Sequence, residues 1–477
     1  MVKASRVRGG SALCRALPAA LRTREPWLRV AFWLALAGLL GVGRLPFLDT
    51  GYGLDPDAWR VAAAARTLAD QGRYVPSRPP GYPVQEITSS LFVDAGPIGL
   101  CSLTALLSIV ACLALGDVVW HTTSARDAPR FALAGLAALA FGYTPVVYLN
   151  SVVALDYLWA VAFVLLALRA ACAGRSVAAG VWLGVAAGCR ITSLASLLPL
   201  LLCVGASRPL GERLRGPWPR LVAAAVVSSI VFFSPALMRR GLRPWKLAES
   251  HADGLRSLLD APAELLGPFG AAAVLLFGLG GLASRALRGS APVIEGGRGV
   301  GRATLAGVLV YSGLYAVYPF EFGYLIPAVA FGTLLLARLL PSGAFRAVCA
   351  ALTVAAFVPQ VDWDPHFRIG SAESSPLLQI QLERQRRAQR LTTLVERANA
   401  LPGRSVVVAG WLEPQFRVMW ADLGADNPGV EIVYTLDRAR LEQHRAAGHR
   451  IYYIPGQQHY NHRIDGVHLS GRGVRPL

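Results

Sequence analysis

The segment Gly53–Glu86 reads GLDPDAWRVAAAARTLADQGRYVPSRPPGYPVQE, and it lies between two apolar stretches, 27–48 and 95–119. Each flank is long enough to cross a bilayer as a helix, which takes about 20 apolar residues. A polar segment with membrane spans on both sides is held at a membrane surface. Within it, Asp55-Pro56-Asp57 carries the marks of a helix start: Asp is a good N-cap and Pro suits the first turn. The helix is predicted to run to Gln71 and stop at Gly72. Downstream, Arg78-Pro79-Pro80-Gly81-Tyr82-Pro83 is a stiff extended turn that fixes where the guanidinium sits. A carboxylate pair facing an arginine at a membrane surface suits removal of a proton from a hydroxyl and neutralisation of a phosphate.

The rest of the chain sets the class. Of 477 residues, 54% are hydrophobic and 16% charged, and apolar runs recur through the first three quarters, which identifies an integral membrane protein. The net charge of +18 comes almost entirely from arginines between apolar runs. That distribution encodes membrane orientation rather than nucleic-acid binding. Seven cysteines stand without a CxxC pair or a histidine at ligand spacing, so neither a disulfide framework nor a zinc site is indicated. No cofactor fingerprint is present. The basic stretch 1–26 runs into an apolar one without a cleavage signal and reads as a cytoplasmic tail before an uncleaved anchor.

Further spans are predicted near 131–149, 152–172, 219–237, 263–284, 303–319, 324–340 and 344–360. The stretch 176–206, broken at Gly188-Cys189-Arg190, reads as two short spans meeting near Arg190, which brings the count to about eleven. With the N-terminus inside, the arginine-bearing segments 121–130, 169–175, 208–220, 285–302 and 341–346 all fall on the cytoplasmic side. The loop 49–94, the loop 239–262, the turn Tyr318–Tyr324 and the tail then share the outer face. Two outer loops carry basic residues against the rule: Arg60, Arg66, Arg73 and Arg78 in one, Arg239, Arg240, Arg243 and Lys246 in the other. Such residues invite an anionic ligand such as a lipid phosphate. Residues 361–477 are expected to form an outer α/β domain, with SVVVAGW, VEIVYTL and RIYYIPG as strands and EPQFRVMWADL and DRARLEQHRAAG as helices between them.

Each candidate residue has a plain structural reading beside the functional one. Asp55 and Asp57 are both placed to cap one helix, but one cap suffices and the second acid projects from the first turn. Asp156, expected one to two turns inside the fourth span, must face a cavity or a partner, because an ionised Asp against lipid costs roughly 2.5–3.5 kcal/mol. A structural partner such as an arginine or Tyr157 would meet that need, and Arg190 is expected to pair with a phosphate or with Asp156, or else to snorkel to the interface. Glu321 and Tyr324 in YPFEFGYLIP sit at an outer turn where an aromatic belt is also expected. His251 and Asp253 form only a weak metal signal, and Asp94 and Asp117 need no role beyond span ends.

These segments resemble the GT-C superfamily of polytopic glycosyltransferases, in particular the group of lipid A aminoarabinose transferases and protein O-mannosyltransferases, over roughly residues 30–340. The group's pattern of acid, two residues, Arg, one residue, Ala is matched by Asp57, Arg60 and Ala62, and its proline turn by Arg78–Pro83. Its later outer acid, its basic residue after a Gly-rich span and its Tyr-Leu-x-Pro start correspond to Asp156, Arg190 and Tyr324–Pro327. This chain departs from the group in having Asp-Pro-Asp for Asp-Glu, Phe-Gly before Tyr324, and an unmatched C-terminal domain. The resemblance implies inverting sugar transfer from a polyprenyl-phosphate donor to a lipid, glycan or protein acceptor at the outer face of the plasma or inner membrane. Asp57 would be the general base, assisted by Asp156 or Asp55. Arg78, Arg190 and Arg60 would hold the donor phosphate, with Tyr82, Glu86, Glu321 and Tyr324 as further substrate-site candidates; no residue is assigned as a metal ligand, and a divalent metal is left open without support from the sequence. A transporter or flippase, or a non-catalytic member of the same fold, is the alternative.

Overall fold

The computed structural model describes residues 25–123, 127–240, 254–289, 291–294, 298–319, 321–359, 361–362, 368–369, 375–469 and 473–477. Residues 1–24, Arg243, Lys246, His251 and Asp253 lie outside the described residues. The opening helix α1 (Glu25–Val42) leads to the polar segment, which folds as α2 (Pro56–Gln71) and α3 (Pro83–Ser90) lying between membrane helices. A bundle follows: α4 (Gly96–Thr122), α5 (Asp127–Tyr143), the short α6 (Pro145–Asn150), α7 (Tyr157–Cys172), α8 (Ser176–Cys189) and α9 (Leu197–Cys203). It continues with α10 (Leu210–Arg215), α11 (Pro217–Arg240), α12 (Gly254–Arg288), α13 (Arg298–Val317), α14 (Ile326–Leu339) and α15 (Ser342–Ala355). Among the described residues, six helical stretches are long and apolar enough to cross a membrane, and five other apolar helices are shorter.

Small residues let the bundle close. Gly180, Gly184 and Gly188 form one stripe of α8, and a Cβ at these positions would lie 2.4 Å from the Leu221 carbonyl oxygen, 1.9 Å from Ser228 Oγ and 2.6 Å from Val84 Cγ2 respectively. With lipid as apolar as leucine, close backbone approach is what holds helices together, and α8 and α11 pack through this stripe. At the end of the bundle opposite α2, Asp117 pairs with Arg29 at 3.2 Å and with Arg169.

Two expectations are corrected. The span drawn at 152–172 begins only at Tyr157, so Asp156 stands at the N-terminal boundary of α7 rather than one to two turns inside a helix. The span drawn at 131–149 is broken at Thr144-Pro145, because proline suits the first turn of a new helix and not the interior of an old one.

The C-terminal region opens with a two-residue antiparallel pair, β1 (Val361–Asp362) and β2 (Arg368–Ile369), then a long helix α16 (Pro376–Asn399) capped by Ser375. The strands β3 (Ser405–Val408), β4 (Val430–Val433), β5 (Arg450–Tyr453) and β6 (Val474–Pro476) form one parallel sheet in the order β4-β3-β5-β6. Its helices are α17 (Glu413–Asp422), α18 (Arg438–Ala446) and α19 (Gln458–Asp465). Sequence patterning marked three of these strands and two of the helices; β6 and α19 are too short and too polar to show a period.

This domain is fastened to the segment that precedes α2. Arg384 on α16, 3% exposed, donates to the carbonyls of Gly51 at 2.8 Å, Val152 at 3.1 Å and Phe47 at 3.4 Å. Arg387 and Gln415 both donate to the Leu54 carbonyl, at 2.8 and 3.1 Å. Arg66 on α2 pairs with Asp422 on α17 at 2.7 Å.

Candidate functional site

Asp55 takes the capping role: its Oδ1 accepts from the Asp57 amide at 2.8 Å, satisfying one of the free amides of the first turn. That leaves the Asp57 carboxylate to project. It pairs with Arg60 at 2.6 Å and with Nε of Arg78 at 3.0 Å. Arg78 also donates through Nη2 to Asp156 at 2.6 Å, and the other Asp156 oxygen receives Arg190. Asp156 is wholly buried, so these two guanidiniums make its ionised form tolerable. Three guanidiniums thus pair with two carboxylates here. Nη1 of Arg78 is buried and carries no hydrogen-bond partner. A buried guanidinium N–H without a partner costs more than a neutral donor does, and an arriving oxyanion removes that cost.

The aromatic side chains complete the wall. Arg190 sits 4.1 Å from the ring centroids of both Tyr157 and Tyr324, and Arg78 lies 4.2 Å from that of Tyr82. Burial first, and then the charge of Asp156, push the Tyr82 hydroxyl up to about 12 against the pull of Arg78 and Arg190. Tyr157 donates to Glu321. Gly323 makes this possible, since a Cβ there would lie 2.7 Å from the Tyr157 ring. The Phe-Gly that departs from the GT-C pattern before Tyr324 is thus a packing requirement of Tyr157.

Glu86 is 1% exposed and its carboxylate is taken up by the turn itself: it accepts from the Ser77 amide at 2.7 Å, the Tyr82 amide at 3.0 Å and the Tyr74 hydroxyl. It holds Arg78 in place and does not face the cluster. Gly81 adopts φ +107°, a region that side chains rarely enter, with Tyr74 Oη and Ala236 Cβ 3.1 Å from where a Cβ would be.

Glu321 reaches back to α2. Asp55, Asp57 and Glu321 each offer a carboxylate oxygen within 4.8 Å of the others, a hard-oxygen donor set suited to a divalent cation. Burial, then the neighbouring charge of Glu321, raise Asp55 to about 6, while the hydrogen bond from the Asp57 amide pulls the other way. The sequence hid this cluster because Glu321 joins it from far along the chain. The role of Gly323 was missed for the same reason, and Tyr157, expected as a partner of Asp156, donates to Glu321 instead.

Beside Tyr324, an apolar cavity of about 410 Å³ opens between α12, α13, α14 and α15, lined among others by Leu265, Val308, Leu325, Val329 and Leu336. The array of charged groups stands at one end of the bundle, and this cavity descends among the helices.

No protein-family model matches the chain, and no curated protein matches it in sequence. Among solved structures, the chain is similar to ArnT from Cupriavidus metallidurans bound to undecaprenyl phosphate, with a TM-score of 0.56, 14% identity, and 88% of each chain covered. The same protein in the apo state gives a TM-score of 0.46, with the same identity and coverage. Arabinosyltransferase EmbB from Mycobacterium smegmatis gives a TM-score of 0.40 and 16% identity over 83% of this chain and 35% of that one. With six long apolar helices among the described residues and a likeness that spans 88% of both chains, this is an integral membrane protein with the fold of that ArnT structure.

Proposed function

We propose that the chain transfers a sugar from a polyprenyl-phosphate-linked donor to a hydroxyl of an acceptor, with inversion, at the membrane face that carries α2. The observation that carries this reading is the unpartnered buried Nη1 of Arg78, on a guanidinium that pairs with both Asp57 and Asp156. A lipid-linked phosphate needs positive charge at its head and apolar surroundings for its tail; the guanidiniums supply the first, and the cavity whose lining includes Leu325, next in the chain to Tyr324, is a candidate for the second. The undecaprenyl phosphate bound to the similar ArnT structure supports the same class of ligand.

The chemistry follows from the ion pairs. An arriving donor phosphate competes with both carboxylates for Arg78 and Arg190, which loosens the hold on Asp57. The freed carboxylate accepts the proton of the acceptor hydroxyl as that oxygen bonds to the anomeric carbon. The bond from carbon to phosphate oxygen breaks on the opposite face, so one displacement inverts the centre and the lipid phosphate leaves with the electron pair. Fixed guanidiniums in a partly dry site stabilise that developing charge without reorganisation. Asp55 holds the start of α2 and, with Glu321, forms the acidic group that a divalent cation would use.

The test is release of labelled sugar from a panel of polyprenyl-phosphate sugars by purified protein in liposomes, with membrane extract as acceptor. Asp57→Asn is expected to lower transfer by about 10²–10⁴-fold, the range for a lost general base. Arg78→Ala is expected to cost about 10²–10³-fold, as for a lost oxyanion donor. Wild-type rates in both variants would end the proposal. A chelator arm reads whether the three-carboxylate group needs a cation.

A further inference from the structure

The C-terminal domain presents the carboxyl ends of β3 and β5 to α2. In the order β4-β3-β5-β6 the connection after β3 leaves toward β4 and the one after β5 leaves toward β6, so the sheet switches direction between them. In open parallel sheets the crevice outside such a switch is where ligands bind. Two turns line it here. Gly410-Trp411 follows β3 with Gly410 at φ +56°, and the segment ending in Gln457 follows β5. The Trp411 amide donates to Gln457 Oε1 at 2.9 Å, which fixes one turn against the other.

The side chains at this mouth are aromatic. Trp411 is 43% exposed, although it stands between the fixed turns. Tyr460 meets it edge-on with centroids 5.8 Å apart, Tyr434 meets Tyr460 at 5.5 Å, and the two tyrosine hydroxyls bond to each other. Arg60 lies 5.5 Å from the centroid of the Trp411 ring, and the same guanidinium pairs with Asp57 at 2.6 Å. One arginine therefore links the aromatic mouth to the carboxylate assigned as base.

We propose that Trp411, Tyr434, Tyr460 and Arg60 form the acceptor subsite and that the acceptor is a saccharide. The proposal rests on the transferase reading of Asp57 given above. A pyranose or furanose ring has an apolar C–H face, which a half-exposed indole takes by stacking because the aromatic face is electron-rich. Its rim of hydroxyls needs paired donors and acceptors, which the tyrosine hydroxyls and the Arg60 guanidinium supply. A saccharide stacked on Trp411 places a hydroxyl toward Arg60 and hence toward Asp57.

Full-length protein in lipid nanodiscs is titrated to millimolar concentration with short α- and β-linked oligosaccharides of glucose, mannose, galactose and arabinose, read by tryptophan fluorescence and calorimetry. At least one class is expected to bind. Trp411→Ala should weaken that binding by about tenfold and Trp411→Phe by less, with thermal stability unchanged. Tyr460→Phe is expected to weaken it severalfold, and Asp57→Asn to lose transfer while Trp411-dependent binding is still detected. Absence of binding by every class, or undiminished binding by Trp411→Ala, overturns the acceptor assignment and leaves the donor reading standing. Trp411-dependent binding together with normal transfer by Asp57→Asn would instead sink the base assignment and leave a saccharide site. A second arm with the same glycan on a lipid anchor shows whether the saccharide is taken free or membrane-bound.

Discussion

At the scale of the residue, the site is a set of opposed charges that hold one another in readiness. Asp156 is shut off from bulk solvent, and two guanidiniums solvate it instead. Removing either partner of such a buried pair costs about 3–5 kcal/mol, so Arg190→Ala should cost stability as well as transfer, a loss that thermal unfolding in detergent would register. Asp55 carries a pH dependence whose sign is fixed by its raised value. Its protonated form is favoured in the folded chain, so its contribution to stability is fully present below the ordinary 3.8 and is lost as pH rises through about 6. If transfer uses a cation held by Asp55, Asp57 and Glu321, protonation of Asp55 removes one of its ligands, and an acid limb near pH 6 is expected in the transfer assay. Glu321→Gln removes the like charge, so the limb should move to lower pH. It should stop short of the ordinary carboxylate range, because burial is the larger cause. A limb unmoved in this variant would detach it from the Asp55–Glu321 pair.

At the scale of the element, two devices position the site. The first is the glycine stripe of α8, which brings α11 close enough for Gly188 to touch both Val84 on α3 and Phe232. The structure offers Gly184→Val no room, since Ser228 Oγ already occupies the Cβ position. A cost of about 1–3 kcal/mol is expected, read as a lowered unfolding temperature in detergent. The second is the Glu86 carboxylate, which ties Ser77, Tyr82 and Tyr74 into the turn that carries Arg78. Much of this local structure was legible in the sequence. Asp as N-cap, Pro at the first turn and Gly72 at the end gave α2 its bounds, because those rules act over one helical turn. What was not legible is that the Glu86 side chain turns inward, since that depends on atoms that only meet once the chain is folded.

At the scale of the whole molecule, α2, the start of α7, Arg190, Glu321 and the C-terminal sheet gather at one end of the bundle, and the Asp117 cluster marks the other. Cysteines introduced singly at Asp70 and Glu442 in a cysteine-free background should react with a membrane-impermeant thiol reagent from outside sealed cells. Cysteines at Glu212 and Arg288 should react only after permeabilisation; the reverse pattern would invert the proposed orientation. The sequence by itself determined the membrane class, the spacing of the apolar runs, the helix that starts at Asp55 and the alternation of strands and helices in the tail. Those properties are carried by composition and by periods of a few residues. Tertiary structure alone decided that Asp57, Arg78, Asp156 and Arg190 form one chain of ion pairs, that Glu321 closes on Asp55, and that Trp411 meets Arg60. Each of these contacts joins residues from separate elements, and the helix packing and backbone hydrogen bonds that bring them together leave no local pattern in the sequence.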